Sequence, residues 1–211
     1  MVLVKGNDKM RVLLTGFEPF LEYPVNPTEE VVKQIVSEGV EGLEIISAIL
    51  PVCFKRSEIR LMEEIDRVKP DIVMMLGLAA GRSKITPERI AINIKDGDRD
   101  NEGYAPTDEP IDGDGPNGIF STLPIREMVN HLTDEGLPAA ISNTAGTYLC
   151  NNMMYAALNR AQKQDGKFSA GFIHIPASHE LALINTKLPS WSLKDLAKGV
   201  RICLETCVRD I

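Results

Sequence analysis

The run Ile72-Val-Met-Met-Leu76 limits the choice of fold more than any other segment of the chain. It has no polar alternation, follows Pro70-Asp71 and stops at Gly77, so residues 71–76 read as a strand buried on both faces. Such a strand needs cover from two sides, and the segments around it supply both. Residues 11–15 and 43–50 read as further strands, and residues 89–94 and 139–142 as strand candidates. Residues 170–175 form another apolar run.

Between these runs, helical spacing predicts helices over 29–35, 57–69, 124–135, 150–162 and 192–208. In the second of them Ile59, Met62, Ile65 and Val68 mark one face, and Pro70 ends it. Ser192 and Asp195 form a capping-box-like start to the last. Strands separated by helices predict an α/β fold whose sheet is covered on both faces. Crossovers of this length allow parallel strands, with an antiparallel pairing expected around 85–94. Residues 95–118 are rich in Asp, Gly, Pro and Asn and carry no hydrophobic period, so they read as a long irregular insertion.

Composition narrows the function. The 211 residues are 44% hydrophobic and 25% charged, which is ordinary for a globular chain, and one domain over 1–211 is expected. Lys and Arg number 23 against 30 Asp and Glu, a net charge of −7, and the basic residues form no run. That argues against nucleic acid as a partner. No stretch approaches the ~18 apolar residues of a membrane span. The N-terminus has no signal-peptide core, so a cytoplasmic location is expected. Met10 directly precedes the first strand, and residues 1–9 read as an N-terminal tail or a misplaced start. The cysteines at 53, 150, 203 and 207 make no Cys-x-x-Cys pair, so neither a metal site nor a disulfide is expected. Cys203 and Cys207 lie on the apolar side of the last helix and read as small buried hydrophobes.

In covered α/β sheets ligands gather where strands exit, and three exits carry chemistry. In Ser142-Asn-Thr-Ala-Gly-Thr-Tyr-Leu-Cys150, a strand leads through a small-residue turn to a cysteine opening a helix. Unpaired N–H groups and the helix dipole would favour a thiolate there and could hold an oxyanion; the plainer reading is a core cysteine. In Gly171-Phe-Ile-His174-Ile-Pro176, a histidine ends an apolar strand, where a core histidine is the plainer reading. His131 lies in a polar helix and reads as solvated, which leaves His179 as the rival base. Glu88 precedes the strand at 89–94, a place where carboxylates are usually surface residues. Together Cys150, His174 and Glu88 supply a nucleophile, a base and a group to orient that base.

Five segments taken in order resemble the cytosolic cysteine pyroglutamyl peptidases, also called pyrrolidone carboxyl peptidases. They are Gly16-Phe-Glu-Pro-Phe20, Pro87-Glu-Arg-Ile-Ala-Ile-Asn93, Phe120-Ser-Thr-Leu-Pro124, Ser142 to Asn151, and Gly171-Phe-Ile-His-Ile-Pro176. The resemblance implies Cys150 as nucleophile, His174 as base and Glu88 as acid. It further implies a three-layer α/β/α sandwich with a central mixed, mostly parallel sheet, a homo-oligomer (tetramer or dimer) and no cofactor. An uncharged pyroglutamyl lactam calls for an apolar slot, and Phe17 and Phe20 resemble its aromatic walls, with the loop-anchoring role as the other reading of both. The glycine-bearing turn from Gly77 to Arg82 is implied to lie near the substrate.

The chain departs from the family pattern at three places. Leu78 stands where many members carry Gln, which would leave only a backbone contact to substrate. The stretch 95–103 is one residue shorter than in typical members, with Arg99 matched to an arginine near the oxyanion. After Pro176, Ala-Ser-His-Glu-Leu181 replaces an aromatic-x-Pro-Glu-Gln run. The function expected is a cysteine exopeptidase acting on peptides with N-terminal pyroglutamate. A thiol amidase for another small lactam or amide, and a non-enzymatic binding protein on the same fold, are the alternatives.

Overall fold

The computed structural model describes residues 9–20 and 23–209. The tail expected over residues 1–9 lies outside the described residues apart from Lys9. In chain order the elements are β1 (Met10–Phe17), α1 (Pro27–Glu38), β2 (Leu43–Leu50), α2 (Phe54–Val68), β3 (Ile72–Leu78), β4 (Thr86–Pro87) and β5 (Ile90–Ile92). They continue with β6 (Gly118–Phe120), α3 (Ile125–Asp134), α4 (Leu149–Lys163), β7 (Ser169–Ile175), β8 (Ala177–Ser178), α5 (His179–Ile184), β9 (Ser190–Trp191) and α6 (Leu193–Arg209).

Five strands form the central sheet in the order β2-β1-β3-β7-β4. The first four run parallel, and β4 adds antiparallel to β7 through Thr86 opposite His174. The sheet is therefore mixed and mostly parallel, covered on both faces in an α/β fold. Alternate residues of each strand go to opposite layers, as the period of two requires. Met74 and Leu76 of β3 pack with Val12, Ile173 and residues of α1, α3 and α6. Val73 and Met75 join Leu13, Phe172 and residues of α2 and α4 in the other layer. Every residue of β3 is buried, which is why the run at its centre carries no polar alternation.

Three sequence expectations differ from the observed elements. The strand at 139–142 is reduced to isolated bridges, Ile85 to Ala139 and Glu88 to Ser142. Pro138 and the tightening turn at Ser142, whose hydroxyl bonds Thr144, leave too little extended chain for a ladder. The strand at 89–94 shortens to β5, which pairs with β6 in a separate two-stranded ribbon outside the main sheet. His131 is not simply solvated: its Nδ1 lies 2.9 Å from Oγ1 of the buried Thr206 and links α3 to α6. Ser192 caps α6 as its spacing predicts, accepting from the Asp195 N–H at 3.1 Å and donating to its carboxylate at 2.8 Å.

The N-terminus of α1 sets the loop that follows β1. Asn26 caps the helix, its Oδ1 accepting from the Thr28 N–H at 3.1 Å and the Thr28 hydroxyl at 2.8 Å. The same Thr28 hydroxyl accepts the Phe17 N–H at 2.9 Å, and Asn26 Nδ2 donates to the Glu18 carbonyl at 3.1 Å. Capping and loop placement are thus one buried network. Thr28→Val removes the hydroxyl at nearly constant volume and leaves the Phe17 N–H unpaired. It is expected to lower stability by about 1–3 kcal/mol, read as a shift of the urea midpoint at constant slope.

Candidate active site

The site lies at the carboxyl edge of the sheet, where β1, β3 and β7 exit. Register puts Gly77 of β3 directly beside His174 of β7. Gly77 follows Val73 and Met75 in alternation, so the face it presents is the one covered by α4. A Cβ built there would sit 2.5 Å from the Phe172 ring and 2.9 Å from Cys150 Sγ. The missing side chain is the space into which the sulfur fits.

Cys150 is the second residue of α4, whose N-cap Tyr148 supplies no side-chain cap. The first N–H groups of the helix therefore remain available at the sulfur's side. The start of the helix is held by Asn151, fully buried. Its Nδ2 donates to the carbonyls of Ile92 (2.9 Å) and Ile94 (3.0 Å), and its Oδ1 accepts from the Ile92 N–H (2.9 Å).

His174 is buried and packs on Phe172, with ring centroids 4.9 Å apart. Its Nδ1 lies 2.7 Å from Oε1 of Glu88, which is completely buried. Glu88 is thus not the surface carboxylate its position before a strand would ordinarily make it. Backbone bonds fix it on both sides, from the Glu88 N–H to Phe172 and from the Arg89 N–H to Ser142. Arg82 Nη1 reaches the same Oε1 at 2.7 Å.

Burial pushes the Glu88 carboxyl up, but the bond and charge of His174, the Ser142 hydroxyl and Arg82 together hold it below the ordinary value. Burial lowers His174 more than Glu88 raises it, which favours the neutral imidazole. With Glu88 accepting at Nδ1, that nitrogen carries the proton and Nε2 is free to act as a base. Burial also pushes the Cys150 thiol up to about 12, reinforced by the Glu88 charge and opposed by Arg82 and the Cys150 backbone N–H. The thiolate favoured by the helix start is thus opposed at this half-buried sulfur. Low-dielectric surroundings and a nearby carboxylate outweigh the helix dipole.

Beside the sulfur lies a narrow slot lined by Phe17, Phe20, Asn26, Val52, Leu78, Tyr148, Leu149 and Cys150. Three residues expected near substrate, Phe17, Phe20 and Leu78, come together there. Arg99 does not line it; its side chain is exposed, and its carbonyl accepts from the Tyr148 hydroxyl at 3.2 Å. His179 is exposed and pairs with Ser190 at 2.9 Å. The insertion packs against the site. Asp96 and Thr147 exchange two bonds, and Asp112 further on holds Asn159 and Lys163 of α4. Sequence reasoning missed the side chains of Arg82, Tyr148 and Asn26. Only Arg82 had a visible pointer, its place at the end of the glycine-bearing strand exit.

The family model described as pyroglutamyl peptidase matches residues 10–210. The chain belongs to the pyroglutamyl peptidase family. It is 53% identical over 194 residues to the pyrrolidone-carboxylate peptidase of Oceanobacillus iheyensis, covering 92% of this chain and 97% of that one. The Lysinibacillus sphaericus pyrrolidone-carboxylate peptidase is 54% identical over 199 residues, covering 94% and 97%. Among solved structures, pyroglutamyl peptidase I of Bacillus amyloliquefaciens superposes with a TM-score of 0.91 at 39% identity, covering 95% of both chains. A mutant pyrrolidone carboxyl peptidase of Pyrococcus furiosus gives 0.92 at 38%, covering 96% of this chain and all of the other. The chain is accordingly an enzyme, a peptidase of the hydrolase class. Among the described residues no helix is long and apolar enough to cross a membrane.

Two outcomes follow from this geometry. Alkylation of Cys150 by iodoacetamide in the free enzyme should keep accelerating well above pH 8.5, without the neutral-pH plateau of a preformed ion pair, because a raised thiol pKa leaves little thiolate at neutrality. Gly77→Ala should displace the sulfur and the Phe172 ring, lowering stability by about 1–3 kcal/mol in thermal unfolding.

Proposed function

We propose that this chain, as a single catalytic domain, hydrolyses the amide bond that follows an N-terminal pyroglutamyl residue, through Cys150, His174 and Glu88. The observation that carries the reading is the 2.7 Å Glu88–His174 contact beside a sulfur seated over Gly77, the strand neighbour of His174. The lactam ring enters the slot formed by Phe17, Phe20 and Leu78. Since Leu78 offers no side-chain polar group, the ring amide is held by backbone groups at the strand exits.

The reaction begins from the neutral pair. Nε2 of His174 takes the Cys150 proton as sulfur attacks the pyroglutamyl carbonyl, and the carbonyl π pair moves onto oxygen. The free N–H groups at the start of α4 stabilise that oxyanion. Glu88 holds the proton on Nδ1 and stabilises the imidazolium that forms. Collapse of the intermediate expels the peptide amine, which takes the proton from Nε2 and leaves a thioester. Water, deprotonated by the same Nε2, then attacks the thioester; pyroglutamate departs and the thiol is restored. Arg99, assigned by resemblance alone, would reach the oxyanion only if its exposed side chain swung inward.

Among the described residues no slot-lining side chain carries a charge, so none of them offers a counter-ion to an N-terminal ammonium. Burying one unpaired costs several kcal/mol. Preference for a pyroglutamyl over a prolyl coumarin amide should therefore reach about 10³-fold in kcat/KM. On the pyroglutamyl substrate Cys150→Ser and His174→Ala should each lose roughly 10³-fold or more, and Glu88→Gln roughly 10²-fold or more. Near-normal turnover by Cys150→Ser would refute the assignment. A cytoplasmic location accords with four cysteines that form no disulfide, and a homo-oligomer accords with the outward-facing Phe120 and Ile92 of the β5–β6 ribbon.

A further inference from the structure

We propose that Arg82 is a positioning residue for the Glu88–His174 pair: its guanidinium holds the carboxylate through the same oxygen that meets the imidazole and ties it to the loop leading to Cys150. The inference rests on the triad reading given above and adds a fourth member that does not touch the reacting atoms.

Arg82 sits in the turn after β3, closed by its own N–H bond to the Ala79 carbonyl at 2.9 Å. From there its fork reaches three partners in two segments, one around β4 and one in the loop before α4. Nη1 donates to Glu88 Oε1 at 2.7 Å and to Thr86 Oγ1 at 2.6 Å, while Nη2 donates to the Thr144 carbonyl at 3.2 Å. His174 Nδ1 shares that Oε1 at 2.7 Å, and the buried Oε2 has no hydrogen-bond partner of good geometry. The Ser142 hydroxyl, close enough to favour the charged carboxyl, is instead directed to the Thr144 carbonyl at 3.0 Å. A wholly buried carboxylate facing a neutral imidazole needs a compensating cation, and Arg82 is the cation in contact with it. Three donors in a fixed fork explain an arginine at this position rather than a lysine.

The charged and titratable groups that meet around His174 come from three elements. They are Glu88 from the segment between β4 and β5, Arg82 from the turn after β3, and Cys150 from α4. The Arg82 charge lowers both His174 and Cys150. Removing it leaves the Glu88–His174 pair with one positive charge fewer, so the pair takes up a proton at higher pH whichever of the two atoms carries it. A protonated pair cannot accept the thiol proton. The acidic limb of kcat/KM therefore marks the electrostatic role, whereas a merely structural role would lower activity evenly across pH.

The test is the pH profile of kcat/KM on a pyroglutamyl coumarin amide for wild type, Arg82→Gln, Arg82→Met and Arg82→Lys. The acidic limb is expected to move up by about 1 pH unit or more in the Gln variant. The Met variant should give the same displacement and stands in should the Gln variant fail to fold. The Lys variant, keeping the charge but losing the fork, should return the limb towards wild type while its plateau stays lower. An unmoved limb in the Gln or Met variant overturns the proposal, as does a Lys limb displaced as far as that of Gln. Cys150→Ser and His174→Ala are run alongside. Turnover by either defeats the triad reading itself; if both are dead and the limb stays in place, only the role of Arg82 falls.

Discussion

The parallel pairing of β3 with β7 is the constraint on which the rest of the site depends. It sets Gly77 next to His174, and the side-chain alternation of β3 turns Gly77 towards α4. Because glycine leaves that place empty, the start of α4 can bring a sulfur close above the sheet. A one-residue slip would turn His174 to the opposite layer and put a different residue under the sulfur. The two apolar layers penalise such a slip, since it would exchange Val73 and Met75 for Met74 and Leu76 on each face. Core packing and catalytic geometry are thus enforced by the same register.

Electrostatics builds on that frame in one direction. Burial pushes the thiol and the imidazole towards their neutral forms, while Arg82 and His174 hold the buried carboxyl below its ordinary value. The charge is kept behind the imidazole, on its Nδ1 side. Beside the sulfur lies a slot whose described walls are Phe17, Phe20, Asn26, Val52, Leu78, Tyr148 and Leu149, none of them ionised. The insertion after β5 joins this frame through Asp96, Thr147 and the Tyr148 hydroxyl, so a segment without hydrophobic period is still anchored at both the nucleophile loop and α4.

The central strands were legible because burial on both faces forces continuous apolar runs, and the helices because one apolar stripe repeats at helical spacing. Cys150, His174 and Glu88 were readable as candidates from their places at strand exits and a helix start. The short elements were not. β8, α5 and β9 total too few residues to show a period, and the extended stretch at 139–142 makes only bridges. Nor could a local pattern announce Arg82, whose partners at 86, 88 and 144 are brought to it only by folding.

Sequence by itself determined the α/β architecture, the kinds of reactive side chain available and the family pattern that joins them. Local periodicity and residue chemistry travel with the chain whatever surrounds it, so both can be read before folding. Only the tertiary structure decided the direction in which each reactive group's acidity moves, the sharing of one carboxylate oxygen by His174 and Arg82, and the exposure of Arg99 away from the slot. Those properties depend on dielectric surroundings and on distances between remote segments, which do not exist until the sheet has closed around them.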